Sequence, residues 1–358
     1  MMSEVTIAKT GTPGALPDEN VLGFGTHFTD HMFEMDYNPQ AGWHNPRIVP
    51  YHDFSVNPAN TTLHYGQGVF EGMKAFRTKD DRIVLFRPLE HLRRLNRSAD
   101  ILCIPQFDVD VVHNALHKLI ALDQKWVPAK QGTSLYIRPF IFATDPYLGL
   151  RVAENYKLAI ILSPVGAYYA TGFTPVKIRV EDKYVRAVPG GLGEAKTLAN
   201  YAASLRAAVD AKKVGYAQTL WLDGVERKYI EEVGAMNIFF KINGELITPA
   251  LTGSILSGIT RKSVLEIARD WGLKATERRI TIDEVYAAHS QGQLEEVFGS
   301  GTAAVISPVG ELSWQNNKII INDNKTGELA QKLYDYVTGL QYGAVADKFG
   351  WVEEVAKS

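Results

Sequence analysis

The sequence predicts a mixed α/β protein of two domains, and three observations carry that prediction. The chain has 358 residues, about twice the length of a typical domain of roughly 150 residues. Strand-like and helix-like hydrophobic patterns alternate along its first half, as they do in mixed α/β units. Residues 163–175 (SPVGAYYATGFTP) contain two Pro, two Gly and no charged side chain, a composition typical of a connection between domains.

Hydrophobic periodicity locates the elements of the first half. Residues 82–86, 133–142 and 156–162 are short apolar or alternating runs rich in branched and aromatic side chains, and we predict them as strands. Residues 88–102 and 109–126 place Leu, Ile and Val three and four positions apart, which predicts two helices. The first half is therefore a mixed α/β unit.

The second half follows the uncharged stretch. We predict a glycine-rich loop at 189–193 (PGGLG) and a largely helical final run, 327–348, that packs on the second domain. The other predicted elements are strands at 176–187, 219–222, 237–242 and 245–247 and helices at 196–213 and 260–271. The predicted domains are a small N-terminal α/β domain at 1–170, an interdomain connection at 171–181 and a large C-terminal domain at 182–358.

The composition excludes several classes of function. The sequence carries 38 Lys and Arg against 40 Asp and Glu, a formal net charge of −2, which provides no overall field for nucleic acid or an anionic membrane. Its longest apolar runs, such as residues 158–162, are far shorter than the roughly 18 residues of a membrane helix. Residues 1–20 lack the apolar core of a signal peptide. We therefore expect a cytoplasmic protein without a nucleic-acid or membrane partner.

Cysteine usage supports the same compartment. Cys103 is the single cysteine, so the chain forms no intramolecular disulfide and no cluster of thiolate metal ligands. This usage suits a reducing cytosol. Because Cys103 lies in the apolar run 101–104 (ILCI), we expect it to be a buried, unreactive core residue.

Hydrolase, nucleotide and metal motifs do not occur in the sequence. It contains no G-x-S-x-G, no G-x-G-x-x-G after a strand and no GxxxxGK[ST]. His27 and His31, and likewise His113 and His117, stand four residues apart and would share one face of a helix. Neither pair forms HExxH or has an evident third ligand, so we predict no metal site.

Two segments and one lysine favour an anionic ligand. Residues 253–261 (GSILSGITR) place a glycine before a predicted helix N-terminus, where free amides and the dipole favour a phosphate. Residues 298–303 (FGSGTA) place two glycines in a predicted turn whose amides form an anion nest.

Lys196 stands at a predicted helix start, although the dipole favours cations at the other end. A desolvated lysine forms Schiff bases, but helix caps, a strand-entry turn and a solvated lysine remain the ordinary interpretations.

Seven ordered motifs resemble those of the branched-chain amino-acid aminotransferases, from about residue 23 to residue 310. They are HYGQGVFEGMKAF (64–76) with the downstream FRP and HLRRL, LYIRP (135–139), PVGAYY (164–169), GGLGEAKTLANY (190–201), EEVGAMNIFF (231–240), GSILSGITR (253–261) and EVFGSGTAAVISPVG (296–310). The resemblance implies a mixed α/β, α+β-type, two-domain fold type IV enzyme, similar to D-amino-acid aminotransferase. It also implies pyridoxal 5′-phosphate as cofactor and a homodimer with active sites between the domains.

The resemblance implies roles for particular residues. Lys196 is then the catalytic residue, which binds the cofactor as a Schiff base and carries the proton between Cα and C4′. Glu232 faces the pyridine nitrogen and Tyr201 the phenolic oxygen. The implied phosphate-binding residues are Arg94, Ile259, Thr260 and Thr302, with Gly258 beside them.

Two of these assignments depend on the family's spacing rather than on physical chemistry. Arg94 is preferred to Arg93, which is then a solvated helix charge. Glu232 is preferred to Glu231, although the residues alone allow both glutamates to be exposed acids at a strand end.

The resemblance further implies a substrate pocket. Arg138 matches the position that reaches the side-chain carboxylate of glutamate. Without the resemblance, the ordinary interpretation of the pocket aromatics is that they are core residues. The ordinary interpretation of Arg138 is a structural arginine paired with an internal acid. The other implied substrate-binding residues are Phe24, Phe70, Tyr136 and Tyr168 for the side chain and Tyr65, Thr302 and Ala303 near the α-carboxylate.

The implied reaction is the transfer of the amino group of L-leucine, L-isoleucine or L-valine to 2-oxoglutarate. A D-amino-acid transaminase and an aminodeoxychorismate lyase of the same fold remain alternatives, although those relatives usually lack the start seen at residues 24–33. A non-catalytic dimeric relative is a third, which loss of Lys196 or Glu232 would indicate. Ala304 and Ser307 replace a CxxC pair of mammalian relatives, and Ala235 replaces a threonine found in some relatives.

Overall fold

The computed structural model describes residues 4–166 and 173–356. They divide into two compact units. Unit 1 comprises Met1–Tyr168, Ala195–Leu198 and Gly339–Ser358, and unit 2 comprises Tyr169–Glu194 and Ala199–Thr338.

Strands and helices of the described residues alternate as the sequence predicts. The strands are β1 Thr6–Ile7, β2 His31–Asn38, β3 Gly42–Pro50, β4 Gly68–Phe70, β5 Met73–Arg77, β6 Ile83–Phe86, β7 Ser134–Ala143, β8 Tyr156–Val165, β9 Val176–Glu181, β10 Gln218–Leu222, β11 Ile230–Val233, β12 Met236–Ile242, β13 Glu245–Thr248, β14 Ala275–Glu277, β15 Leu294–Gly301, β16 Val305–Trp314, β17 Asn317–Ile320 and β18 Val352–Val355. The helices are α1 Thr61–Tyr65, α2 Pro88–Ile101, α3 Val109–Leu122, α4 Leu198–Lys213, α5 Ile259–Asp270, α6 Ile282–Ser290 and α7 Glu328–Gln341. Within the described ranges, no helix combines the length and apolarity that crossing a membrane requires.

Several predicted elements end earlier than expected, each for a local reason. The strand predicted to reach residue 187 ends at Glu181, whose own carboxylate accepts hydrogen bonds from the amides of Lys183 and Tyr184 at 2.8 and 3.0 Å and turns the chain. The predicted helix at 109–126 ends at Leu122 and continues only as a 3-10 turn. The final helix ends at Gln341, shortly before a glycine with φ of 69°.

The chain crosses between the units more than once, and this corrects the predicted domains. Strand β9 pairs with β10 and β16 inside the sheet of unit 2, so the predicted connection at 171–181 is largely a core strand. Its first two residues lie outside the described ranges. Residues 339–358 belong to unit 1 because β18 pairs antiparallel with β6. The predicted C-terminal domain at 182–358 is therefore wrong at its end, and unit 1 contains more residues than unit 2.

Unit 1 is a mixed sheet covered by two helices. Its described strands lie in the order β1-β3-β2-β8-β7-β5-β6-β18, with β4 beside β7. Leu92 and Leu95 of α2 and Leu116 and Leu119 of α3 are fully buried at helical spacing. Their burial removes apolar surface from water and attaches both helices to the core that the sheet supports.

Unit 2 contains a closed ring of strands. Among the described residues, six strands pair in the order β11-β10-β9-β16-β15-β12. Strand β11 pairs with both β10 and β12, and this closes the ring. Ile178, Leu220, Ile238 and Leu312 are fully buried on four of these strands. The hydrogen-bonded ring therefore gives a rigid base for the loops at its rim.

Cys103 is exposed, so the prediction of a buried core thiol is wrong. Helix α2 ends at Ile101, and Cys103 adopts φ of 56° while its amide donates to the Asp100 carbonyl at 2.9 Å. The next residue, Ile104, enters the core instead, with 2% exposure. The apolar run therefore has two exposed positions, Ile101 at 37% and Cys103, and the left-handed residue turns the chain so that Ile104 is buried.

We expect Cys103 to react readily with a thiol reagent in the native protein. Titration with an aromatic disulfide reagent should modify one thiol per chain without denaturant, since the side chain is exposed. The modified protein should remain folded, because Cys103 lies beyond the C-terminal end of α2. The Cys103→Ser variant is the control, and a thiol that reacts only after unfolding would contradict the placement.

Candidate active site

Lys196 lies in an extended segment of unit 1, two residues before α4. The Phe70 amide donates to the Lys196 carbonyl at 3.0 Å, and the Lys196 amide donates to Ser98 Oγ at 2.9 Å. Thr197 forms an antiparallel bridge with Val69 of β4. The prediction that Lys196 begins the helix is therefore wrong, since these contacts hold it as an added strand. Its half-buried side chain places Nζ 4.8 Å from the Phe70 ring centroid.

A buried charged cluster lies on the same elements. Arg94 on α2 contacts Glu71 through Nε at 2.6 Å and Nη2 at 3.0 Å, and His91 Nδ1 lies 2.8 Å from the second oxygen of Glu71. Burial by itself raises the pKa of the Glu71 carboxyl, but Arg94 and His91 outweigh it and hold that pKa well below its ordinary value. Burial lowers the pKa of His91. One carboxylate therefore orients one guanidinium and one imidazole.

Sequence reasoning assigned no role to Glu71 or His91. Both stand inside quoted motifs, and the three-residue spacing of His91 and Arg94 predicts a shared helix face, but their common partner comes from β4–β5. Arg94 is buried and Arg93 is exposed, as the sequence predicts.

We expect the stability of His91→Gln to fall less than that of the wild type as the pH is lowered. Because folding lowers the pKa of His91 from its ordinary 6.5, the unfolded chain binds more protons below about pH 6.5, so wild-type stability falls as the pH drops through that range. Chemical unfolding at pH 7.5 and 5.5 measures the difference. His27→Gln is the control at an exposed histidine, and equal pH dependence of His91→Gln and wild type would refute the assignment.

An aromatic cluster surrounds Arg138 in unit 1. Strand β7 places Tyr136 and Arg138 on one face, and Arg138 Nη2 donates to the Tyr136 hydroxyl at 3.0 Å. The guanidinium carbon lies 4.7 Å from the Phe70 ring centroid, and Phe24 meets Tyr136 edge-on at 4.9 Å. Gly72 makes room for this arrangement, since a Cβ there would lie 2.0 Å from the Tyr136 hydroxyl. Through Phe70, this cluster is continuous with Lys196.

Arg138 contacts aromatic side chains and no carboxylate among the described residues, in contrast to the structural interpretation of this arginine. Its Nε is buried without a hydrogen-bond partner there. A buried guanidinium favours an anionic partner. Tyr65 is 41% exposed, and its hydroxyl donates to the Leu148 carbonyl instead of to this cluster. Tyr168 lies outside the described residues.

Glu232 lies on β11 of unit 2 in a tight polar network. One of its oxygens accepts from the Leu256 amide at 2.9 Å and from Asn237 Nδ2 at 3.3 Å, and the other lies 3.0 Å from Arg186 Nε. Its residue exposure is 3%. These contacts fix the direction of the carboxylate.

Glu231 is also buried, so the interpretation of both residues as exposed acids is wrong. Its side chain faces the opposite side of β11, where Ser254 Oγ donates to it. Burial raises the pKa of Glu231. The two adjacent carboxyls therefore have different environments, and Glu232 is the one that accepts from Leu256 and Asn237 and forms an ion pair with Arg186.

The N-terminus of α5 adjoins this network. Gly258 is the N-cap residue and makes no side-chain cap, and Ile259 and Thr260 follow it with 5% and 7% exposure. A Cβ on Gly258 would lie 2.0 Å from Asn237 Oδ1. Glycine is therefore required where the helix end meets the partner of Glu232, and the first amides of the helix favour an anion.

Residues 302–304 form the turn between β15 and β16, with Thr302 and Ala303 half-buried. The two glycines predicted to form an anion nest lie in strand β15 instead, because Gly299 and Gly301 pack against Met236 there. Val305 closes the turn with φ of 62°. A β-branched residue in this region is strained.

The polar side chains on one face of the unit 2 sheet fit a pyridine ring that carries a phosphate group. Glu232, Asn237 and Ser300 form one row across β11, β12 and β15 and so lie on one face. Ser300 Oγ is buried without a hydrogen-bond partner among the described residues, which a bound polar group would satisfy. Tyr201 lies half-buried in the first turn of α4.

This chain belongs to the class IV aminotransferases, since the family described as Amino-transferase class IV matches residues 68–312. It is 58% identical to branched-chain-amino-acid aminotransferase 2 of Bacillus subtilis (strain 168), over 98% of this chain and 97% of the relative. The crystal structure of the Escherichia coli branched-chain amino acid aminotransferase shares 29% identity and a TM-score of 0.76, covering 91% of this chain and 99% of that one. The crystal structure of a branched-chain aminotransferase from the thermophilic archaeon Thermoproteus uzoniensis with norvaline shares 28% identity and a TM-score of 0.75, covering 91% of this chain and 100% of that one.

Proposed function

We propose that the protein transfers the amino group of L-leucine, L-isoleucine or L-valine to 2-oxoglutarate, with pyridoxal 5′-phosphate as cofactor. The observation that carries the proposal is the cluster of Phe24, Phe70 and Tyr136 around Arg138, continuous with Lys196. Aromatic rings suit a branched apolar side chain. One guanidinium suits the distal carboxylate of glutamate.

The residues proposed to hold the cofactor are those that the resemblance implies, taken for each unit by itself. Lys196 and Arg94 are in unit 1. Those in unit 2 are Tyr201, Glu232, Gly258, Ile259, Thr260 and Thr302. Arginine and helix N-terminal amides suit a phosphate dianion, and the Glu232 carboxylate suits a protonated ring nitrogen.

The bound cofactor supplies an electron sink for the electron pair left when the Cα–H bond of the amino acid breaks. Lys196 would be the amine that takes the proton from Cα of the substrate and delivers it to C4′ of the cofactor. Glu232, fixed by two hydrogen bonds and the ion pair with Arg186, would keep a proton on the ring nitrogen. The resemblance assigns Thr302, Ala303 and Tyr65 to the substrate α-carboxylate, and it assigns Tyr168, which lies outside the described residues, to the substrate side chain.

Steady-state assay of L-leucine with 2-oxoglutarate tests this proposal. We expect formation of L-glutamate with L-leucine, L-isoleucine and L-valine and none with D-amino acids. Transamination of D-amino acids alone, or lyase activity on an aminodeoxychorismate, would overturn it.

We further propose a cytoplasmic homodimer. The exposed free thiol of Cys103 suits a reducing compartment. Helix α4 exposes Leu198, Leu205 and Val209 on one face, at 37%, 63% and 50%, and such apolar surface is typical of association sites. We expect Leu205→Glu to convert the wild-type dimer to a monomer by light scattering, with Lys79→Glu, at an exposed lysine outside α4, as control. A monomeric wild type would contradict the proposal.

A further inference from the structure

We propose that unit 1 contains a binding site for a divalent transition-metal ion of the Zn²⁺ type, formed by His113, His117 and Glu353. The two histidines lie on α3 and the glutamate on β18, and one ligand atom from each lies within 4.8 Å of the others. The site shares no residue with the proposed cofactor and substrate sites. Two imidazoles and a carboxylate are a ligand set that Zn²⁺ prefers.

The ligand atoms are close enough to reach a tetrahedral arrangement after small shifts. His113 Nε2 lies 2.6 Å and His117 Nε2 lies 3.6 Å from the same oxygen, Glu353 Oε2. Bonds of about 2.0–2.2 Å in a tetrahedron separate neighbouring ligand atoms by about 3.3 Å. Shifts of less than about 1 Å would therefore bring the three atoms to coordination distance.

The backbone positions of the three ligands are firmly held. His113 and His117 are one helical turn apart on α3, beside the fully buried Val112 and Leu116. Glu353 lies opposite Leu85 in the β18–β6 pairing. A site built on a helix and a paired strand keeps its geometry before the ion binds.

A simple ion pair does not account for the second histidine. Glu353 satisfies His113, but His117 Nε2 is buried and has no hydrogen-bond partner among the described residues. The two imidazole centroids are only 4.6 Å apart, so both rings are close enough to ligate one ion. A metal ion satisfies both nitrogens at once and leaves its fourth position for water.

The bound ion would connect α3 to β18, across 240 residues of sequence. We therefore expect it to raise the thermal stability of unit 1 without taking part in transamination. The sequence did not reveal this site because the third ligand comes from a distant strand.

Metal binding to the tag-free holoenzyme tests the proposal. After treatment with EDTA, we expect one Zn²⁺ per chain by equilibrium dialysis, and Co²⁺ in its place should produce the visible absorption of a tetrahedral site. Glu353→Gln and His117→Gln should each weaken binding by more than the roughly 10–100-fold that loss of an outer-shell partner costs. His27→Gln should bind as wild type does, because it removes an exposed histidine elsewhere.

Two further measurements make the result decisive. Added Zn²⁺ should raise the melting temperature of wild type and of His27→Gln but not of Glu353→Gln. Cofactor absorbance and L-leucine transamination of Glu353→Gln, without metal, should match wild type, which shows that the variant folds. Absence of saturable binding by wild type, or equal binding by wild type and both ligand variants, would overturn the proposal.

Discussion

Lys196→Ala is expected to reduce the rate of transamination by about 10²–10⁴-fold or more, the range that a positioned proton-transfer group supplies. The fold should remain, because Lys196 contacts Phe70 and Ser98 through its backbone carbonyl and amide. Those hydrogen bonds do not depend on the side chain. The measurement is the rate of L-glutamate formation from L-leucine and 2-oxoglutarate, with folding checked by circular dichroism.

Covalent labelling separates Lys196 from the other lysines. Borohydride treatment of the loaded enzyme should attach the pyridoxyl group to Lys196, as located by peptide mapping. Lys183→Ala removes an exposed lysine and should keep full activity. A label on Lys183 or Lys212, or a fully active Lys196→Ala, would refute the assignment.

Arg138→Ala is expected to lower kcat/KM for glutamate and 2-oxoglutarate by roughly 10- to 150-fold, since a charge-assisted pair contributes about 1.5–3 kcal/mol. The guanidinium has no acid partner among the described residues, so its charge is available to a substrate carboxylate. The half-reaction with L-leucine should change much less. Single-turnover measurement of each half-reaction gives the two values separately.

The control for this variant is Arg93→Ala, which removes an exposed arginine of the same unit and should leave both half-reactions unchanged. Arg138→Lys should recover part of the activity with glutamate, because it restores the charge without the planar fork. Equal losses for L-leucine and glutamate in Arg138→Ala would assign the residue to the scaffold.

Most elements were predictable because their signals are local. The alternation in 133–142 and the helical spacing in 88–102 predict β7 and α2, which the structure confirms with shifted ends. Ends depended on single contacts, such as the hydrogen bonds that stop β9 at Glu181. Hydrophobic periodicity does not contain such contacts.

Some residues of the candidate site could be proposed from local sequence motifs, and others could be found only in the structure. Lys196 and Arg138 stand in recognisable motifs, so the sequence was enough to propose roles for them. The partner of Arg94 was not predictable, because Glu71 lies 23 residues away in another element. The burial of Glu231 was also hidden, since a sequence doublet does not tell which acid faces which side of a strand.

By itself, the sequence determined the chemistry that the chain carries and the order of its elements, because motif spacing and periodicity are properties of neighbouring residues. Only the tertiary structure decided that residues 339–358 return to unit 1, that Cys103 faces solvent and that Glu353 reaches His113. Each of these depends on how distant segments pack. The free energy of that packing comes from the whole core, so no local sequence pattern predicts it.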